Sequence, residues 1–210
     1  MNSDTPVDRR PALSNRPAVT IKLASTADEL AQCYALRAAV YMGEQHCPYA
    51  EEFDGNDHSA SHVMLYVDGE PAACMRIRWF AGFAKLERAV ILGRYRSMGL
   101  FLPFTDWAKE FARRKGYSKV YLHSQERLWK VMERDGFKRV DDTVFHFSDH
   151  RYAAFACDVE ADADCPTICT DPMVLNRPED QLDRPGVLEK SMERGASNPH
   201  AAWTGRRVVN

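Results

Sequence analysis

The sequence contains no run of eighteen apolar residues, so nothing in it calls for a membrane span. Its opening stretch, "MNSDTPVDRRPALSNRPAV", lacks the apolar core of a secretory signal. These absences predict a cytoplasmic chain whose six cysteines are reduced thiols rather than a disulfide framework. An excess of one charge sign is missing as well. Lys and Arg number 28 against 30 Asp and Glu, a net charge of −2, which removes the general attraction to nucleic acid. There is no Cys-x-x-Cys pair. Cys165-x-x-x-Cys169, with Cys157 nearby, has no clear fourth ligand. His58-x-x-x-His62 and His146-x-x-x-His150 fall outside predicted helices. No metal is therefore expected.

Hydrophobic residues make up 45% of the 210, enough for one core. Residues 1–17 are polar and proline-bearing and read as a disordered N-terminal arm. Residues 18–159 read as one domain, and 160–210 as an irregular C-terminal extension rich in Asp, Pro and Arg. Within the domain, 18–25 alternates as a strand. Residues 26–45 carry helical spacing, with Thr26 and Glu29 placed for a capping box. Residues 46–61 are loop-like. Asp68-Gly69 marks a hairpin over 62–80, and 84–92 is a further strand. An amphipathic helix runs to Gly116, with Pro103 tolerable only in its first turn. A strand at 118–125, a short helix ended by Gly136 and two strands within 143–159 complete the order β-α-β-β-β-α-β-α-β-β.

The stretch "RAVILGRYRSMGLFLPF" leads from a strand through a basic turn into a helix. A helix N-terminus leaves backbone N–H groups unpaired and carries partial positive charge. Gly99 lets the backbone approach an anion, and Arg94 and Arg96 add forked donors for phosphate oxygens. Arg96-Ser97-Met98-Gly99-Leu100-Phe101, the hairpin before it and the later Gly136-Phe137 resemble the GNAT family of acyl-CoA-dependent N-acyltransferases over roughly 18–157. The resemblance implies a mixed, mostly antiparallel sheet flanked by helices. It also implies acetyl-CoA or another acyl-CoA as co-substrate, held by Ala89, Ile91, Arg94, Arg96, Ser97, Met98, Gly99, Leu100 and Phe101. A primary amine of a small molecule is the implied acceptor, attacked directly. Phe101 stands where the family pattern has a small residue, and Met132 where it has a proton-donating tyrosine.

Amide formation needs a base for the ammonium and a proton for the thiolate. Strict alternation on "KLERAVIL" puts Glu87, Ala89 and Ile91 on one strand face, which makes Glu87 the expected base. His123 and Ser124 are the candidate substitutes for the missing tyrosine. The acidic loop offers Glu51, Glu52 and Asp54 to a cationic amine, and Arg37, Arg76 and Arg78 could oppose them, either as substrate-binding cations for an acceptor carboxylate or by neutralising the loop. The same loop, with "MRIRWF" and "LERAV", is similar to acyl-homoserine-lactone synthases and N-acyl amino acid synthases, which take longer acyl donors. Phe101 and Met132 also admit a non-catalytic acyl-CoA-binding module. A homodimer is left open.

Overall fold

The computed structural model describes residues 16–195; most of the expected N-terminal arm lies outside them. The chain runs β1 (Val19–Leu23), α1 (Ala27–Arg37), α2 (Tyr49–Glu52), β2 (Ser61–Val67), β3 (Glu70–Phe80), β4 (Phe83–Ile91), α3 (Phe101–Arg114), β5 (Lys119–Gln125), α4 (Trp129–Arg134), β6 (Lys138–Phe147), β7 (His150–Asp158) and α5 (Pro172–Leu175). The seven strands form one sheet in the order β1-β2-β3-β4-β5-β7-β6. Among the described residues only the β4–β5 pair is parallel. The fold is the expected mixed, mostly antiparallel sheet flanked by helices.

Local chemistry sets the helix ends. Thr26 accepts from the Glu29 N–H and the Glu29 side chain returns to the Thr26 N–H, closing the predicted box. Past Arg37 the helix widens into a π-helical turn, Ala38–Glu44, so the single helix expected over 26–45 is two kinds of helix in series. Pro103 sits in the first turn of α3, where its missing N–H costs nothing. β6 begins at Lys138, earlier than the sequence suggests, because residues 140–143 leave the ladder and let pairing resume at Val144.

Two apolar layers sandwich the sheet. Val63, Met75, Ile77, Leu86 and Leu122 pack with Phe104, Ala108 and Phe111 of α3. On the opposite face Met64, Cys74 and Val90 pack with Cys33 and Leu36 of α1. The C-terminal extension contains α5 and a 3-10 turn, Val187–Glu193, and is pinned back on the domain. Arg113 bonds Asp162 at 3.0 Å, Lys115 bonds Glu179 at 2.5 Å, and Cys165 fills the space beside Gly116.

Candidate active site

β4 carries one residue more than its partner can match. Cys74 pairs with Val90 and Arg76 with Glu87, so Arg88 and Ala89 stand opposite Met75 alone. Arg88 adopts φ +51°, a left-handed conformation that costs a residue with a Cβ about 1 kcal/mol. Its guanidinium offsets that cost. It donates to the Glu51 carbonyl at 2.6 Å and lies 3.3 Å from a Glu52 carboxylate oxygen. The bulge corrects the alternation read from the sequence. Leu86 and Ile91 face the α3 layer, whereas Glu87 lies beside Arg76 and Val90 faces α1. Glu87, Ala89 and Ile91 therefore do not share one face.

Beyond the bulge β4 and β5 separate. Their ladder ends at Leu86 opposite Leu122. The gap opens a cleft of about 160 Å³ through the sheet. Phe101, Thr105 and Met132 line its α3 side, while Glu87, His123 and Tyr152 line the other. Ser124 and Ala89 border it as well. Glu87, His123, Ser124, Ala89 and Phe101, all named from the sequence, thus line one cleft, together with Tyr152 and Tyr41, which the sequence reading did not name. No local motif marks either tyrosine. Tyr152 comes in through the pairing of β7 with β5 and accepts a hydrogen bond from Gln125 Nε2 at 2.9 Å. Tyr41 comes from the π-helical turn and donates to the Ala89 carbonyl at 3.1 Å.

α3 begins at the rim of the cleft with no side-chain cap and no acid in its first turn. The residue before its cap is Gly99, at φ +68°, with open space where a Cβ would stand. Ser97 and Met98 belong to the 3-10 turn that leads in, and Leu100 turns its side chain into the core. Arg96 donates to the Ile91 carbonyl at 2.9 Å and pairs with Glu44. Arg94 is exposed and lies over the Tyr95 ring. Uncapped N–H groups at a helix start favour an anion; beside them Arg94 is exposed, and Arg96 is half-exposed while bonded to Glu44 and the Ile91 carbonyl. Phe101 packs against the core and borders the cleft.

Of the two roles expected for the arginines of the acidic loop, Arg37 and Arg76 take the neutralising one. Arg37, fully buried, bonds Glu52, the Glu52 carbonyl at 2.9 Å and both Asp57 oxygens. Arg76 bonds Asp54 twice at 2.7 Å, Asp57 at 3.0 Å and Glu87 at 2.7 and 3.0 Å. The N–H groups of both arginines are thus taken up inside the protein, and these residues brace the loop rather than stand open to a ligand. Asp54 and Glu52 belong to the same network, Glu51 is exposed, and Arg78 lies 3.8 Å from Glu87 and over the Phe80 ring.

Charge follows from this packing. Burial alone would raise the Glu87 carboxyl, but hydrogen bonds from Lys85 and Arg76 outweigh it and hold the pKa below the usual range. Burial raises Glu52, against the pull of Arg37. Burial, with the Lys85 charge, lowers His123 to about 4, so the imidazole is neutral near pH 7. Its Nε2 lies 2.9 Å from the Tyr121 hydroxyl. The Ser124 hydroxyl is buried and donates to the Gln125 carbonyl. Among the described residues no cluster of three or more His, Cys, Asp or Glu is arranged for a metal, and no helix is long and apolar enough to cross a membrane.

The family model for the GNAT acetyltransferases matches residues 26–137. An acetyltransferase homologue from Bacillus subtilis is 28% identical over 127 residues, covering 59% of this chain and 86% of its own length. The crystal structure of an acyl-CoA N-acyltransferase from Pseudomonas aeruginosa superposes with a TM-score of 0.60 at 29% identity, covering 67% of this chain and 99% of that one. The CoA-dependent acyl-homoserine lactone synthase BjaI shares the fold at 14% identity and a TM-score of 0.59, over 68% of this chain and 84% of its own.

Proposed function

The chain belongs to the GNAT acetyltransferase family, and from that premise we propose that it transfers an acyl group, most simply acetyl, from acyl-CoA to the primary amine of a small molecule. The observation that carries this reading is the parting of β4 and β5 directly beside an uncapped helix N-terminus. The cradle from Arg94 to Phe101 would hold the pyrophosphate, with Gly99 giving the backbone close approach. The strand edge at Ala89 and Ile91 would hold the pantetheine arm. The co-substrate supplies a thioester carbonyl; the amine nitrogen bonds to it, the carbon–sulfur bond breaks and the thiolate takes a proton.

Glu87 is the proposed base. It is ionised at neutral pH and accepts the ammonium proton, directly or through water, while Arg76 and Lys85 hold its carboxylate at the cleft. For the proton returned to sulfur, Met132 has none to give. Neutral His123 is engaged with Tyr121, and Ser124 donates to a carbonyl. Tyr152 supports the reading best. Its oxygen accepts from Gln125, which leaves its own O–H to donate at the cleft.

The resemblance of the acidic loop, "MRIRWF" and "LERAV" to acyl-homoserine-lactone and N-acyl amino acid synthases, with the fold shared with BjaI, supports a second reading, a synthase that acylates an amino acid or its derivative with a longer chain. Calorimetry with acetyl-CoA and a long-chain acyl-CoA, combined with thiol release in the presence of amines, tests both. Tighter acetyl-CoA binding with turnover supports acetyl transfer, preference for the long chain supports the synthase, and no binding of either sinks the proposal.

A further inference from the structure

On the face opposite α3, helix α1 covers β2, β3 and β4. Past it the sheet carries aromatic rings. Phe83 of β4 meets Tyr121 of β5 edge to face at 5.5 Å, and Tyr121 meets His123 at 5.3 Å. His123 meets Phe145 of β6 at 4.8 Å, and Tyr152 lies 6.1 Å from Phe145 with its plane tilted by only 18°. The row is continuous from β4 to β6 and passes the mouth of the cleft, which His123 and Tyr152 also line.

The sequence builds this row through simple alternation. β5 turns Val120, Leu122 and Ser124 inward, which sends Tyr121 and His123 the other way. β7 sets Ala156 beside Tyr121 and Ala154 beside His123, so the floor between the rings is low. Residues 140–143 of β6 stand opposite Ala154 alone. This excursion brings Asp141 near enough for its charge, second to burial, to raise the Tyr121 phenol. Glu87 closes the other end beside the cleft.

We infer, resting on the acyl-transfer reading above, that this row is the wall on which the acceptor lies and that the acceptor is an arylalkylamine, a primary amine on an aromatic body. The rings supply faces and edges for stacking with an aryl group, and their π faces tolerate an ammonium. Asp141 at one end favours the cation, and at the other the Glu87 carboxylate balances part of the charge of Arg76 and Lys85. The imidazole within the row is neutral near pH 7 and does not repel it. An acyl chain is the weaker candidate occupant, because the half of the cleft beside the phosphate cradle is lined by Phe101, Thr105 and Met132 on the other face of the sheet.

The test compares phenethylamine with n-butylamine as acceptors for acetyl-CoA, read by thiol release, alongside calorimetric binding of phenethylamine with CoA present. A kcat/KM at least about tenfold higher for phenethylamine is expected, the scale of one or two aromatic contacts. Phe145→Ala should compress that ratio to about threefold or less, and Phe145→Leu, which keeps apolar volume without the ring, should do the same. Release from both amines at equal efficiency overturns the inference and leaves acyl transfer standing. Phenethylamine binding without release from any amine overturns acyl transfer and retains the wall. Neither binding nor release overturns both. A dimer that Phe147→Asp dissociates, with the aryl ratio unchanged, would assign the row to a second copy and overturn the inference.

Discussion

Arg76 sets two guanidinium N–H groups on a single oxygen of Glu87, at 2.7 and 3.0 Å across the β3–β4 ladder. The same guanidinium holds Asp54 and Asp57 of the acidic loop, so one buried cation ties the proposed base to the segment beside it.

Removing that buried cation takes the shared partner from Asp54, Asp57 and Glu87, which keep Arg88, Arg37 and Lys85 respectively. Arg76→Leu is expected to lower the unfolding free energy by about 3–5 kcal/mol, the range for breaking a buried ion pair from one side. Urea denaturation measures it. A loss under about 1 kcal/mol would mean that water reaches the network freely.

Acid should loosen the same region. Arg76 holds Asp54 well below its ordinary 3.8, and the bonds to Asp57 and Glu87 outweigh burial and lower those groups too. A depressed native pKa means that the unfolded chain binds more protons in this window. The contribution is complete above the ordinary values of 3.8 and 4.5 and is lost as pH falls below them. Glu52, raised by burial, works with the opposite sign: its contribution is complete below 4.5 and fades as pH rises through its native value. Circular dichroism across pH 2–6 should show Asp54→Asn unfolding with a shallower acid slope than the parent, and identical slopes would refute the assignment.

At the other end of the cleft, Gly99→Ala strains a residue at φ +68° by about 1 kcal/mol and puts a methyl group where the anion is proposed to sit. Acetyl-CoA affinity should therefore fall further than stability does. Arg96→Ala should weaken binding by about tenfold, the value of one charge-assisted contact. Calorimetry with unchanged affinity in both variants would remove the phosphate role from this turn.

Tyr152→Phe keeps the ring and deletes the O–H. The expected result is a kcat lower by about ten- to a hundredfold with KM held, as for a lost general acid. Glu87→Gln should lower kcat by at least about a hundredfold and leave acetyl-CoA binding intact. Steady-state kinetics at pH 7 with a fixed amine reads both, and an unaltered kcat for either variant dismisses it from the chemistry.

Features carried by neighbours in sequence were legible beforehand. The Thr26–Glu29 box, the Asp68-Gly69 turn, Pro103 in a first turn and the strand–turn–helix around Gly99 each depend on residues within a few positions of one another. Features set by distant partners were not. Nothing local says that Arg88 takes a left-handed conformation; carbonyls more than thirty residues away hold it there. Arg37 and Arg76 read as ligand-binding cations because their carboxylate partners lie 11 to 22 residues off along the chain. Tyr152 enters the cleft only through sheet pairing. The extension has no periodicity of its own, and its docking rests on Asp162 and Glu179 meeting the end of α3.

The extra residue in β4 also constrains how this chain can diverge. Side chains alternate with a period of two, so the strand carries two alternations in antiphase, joined at Arg88–Ala89. Deleting one of that pair would bring the halves into phase and swap the destinations of Val90 and Ile91 between the two apolar layers. Loss or gain of a residue should be purged from this strand, while the excursion at 140–143, already outside its ladder, can change length freely. Relatives should therefore differ in the size of that excursion, beside the wall proposed to hold the acceptor, and agree on the spacing between Glu87 and Gly99.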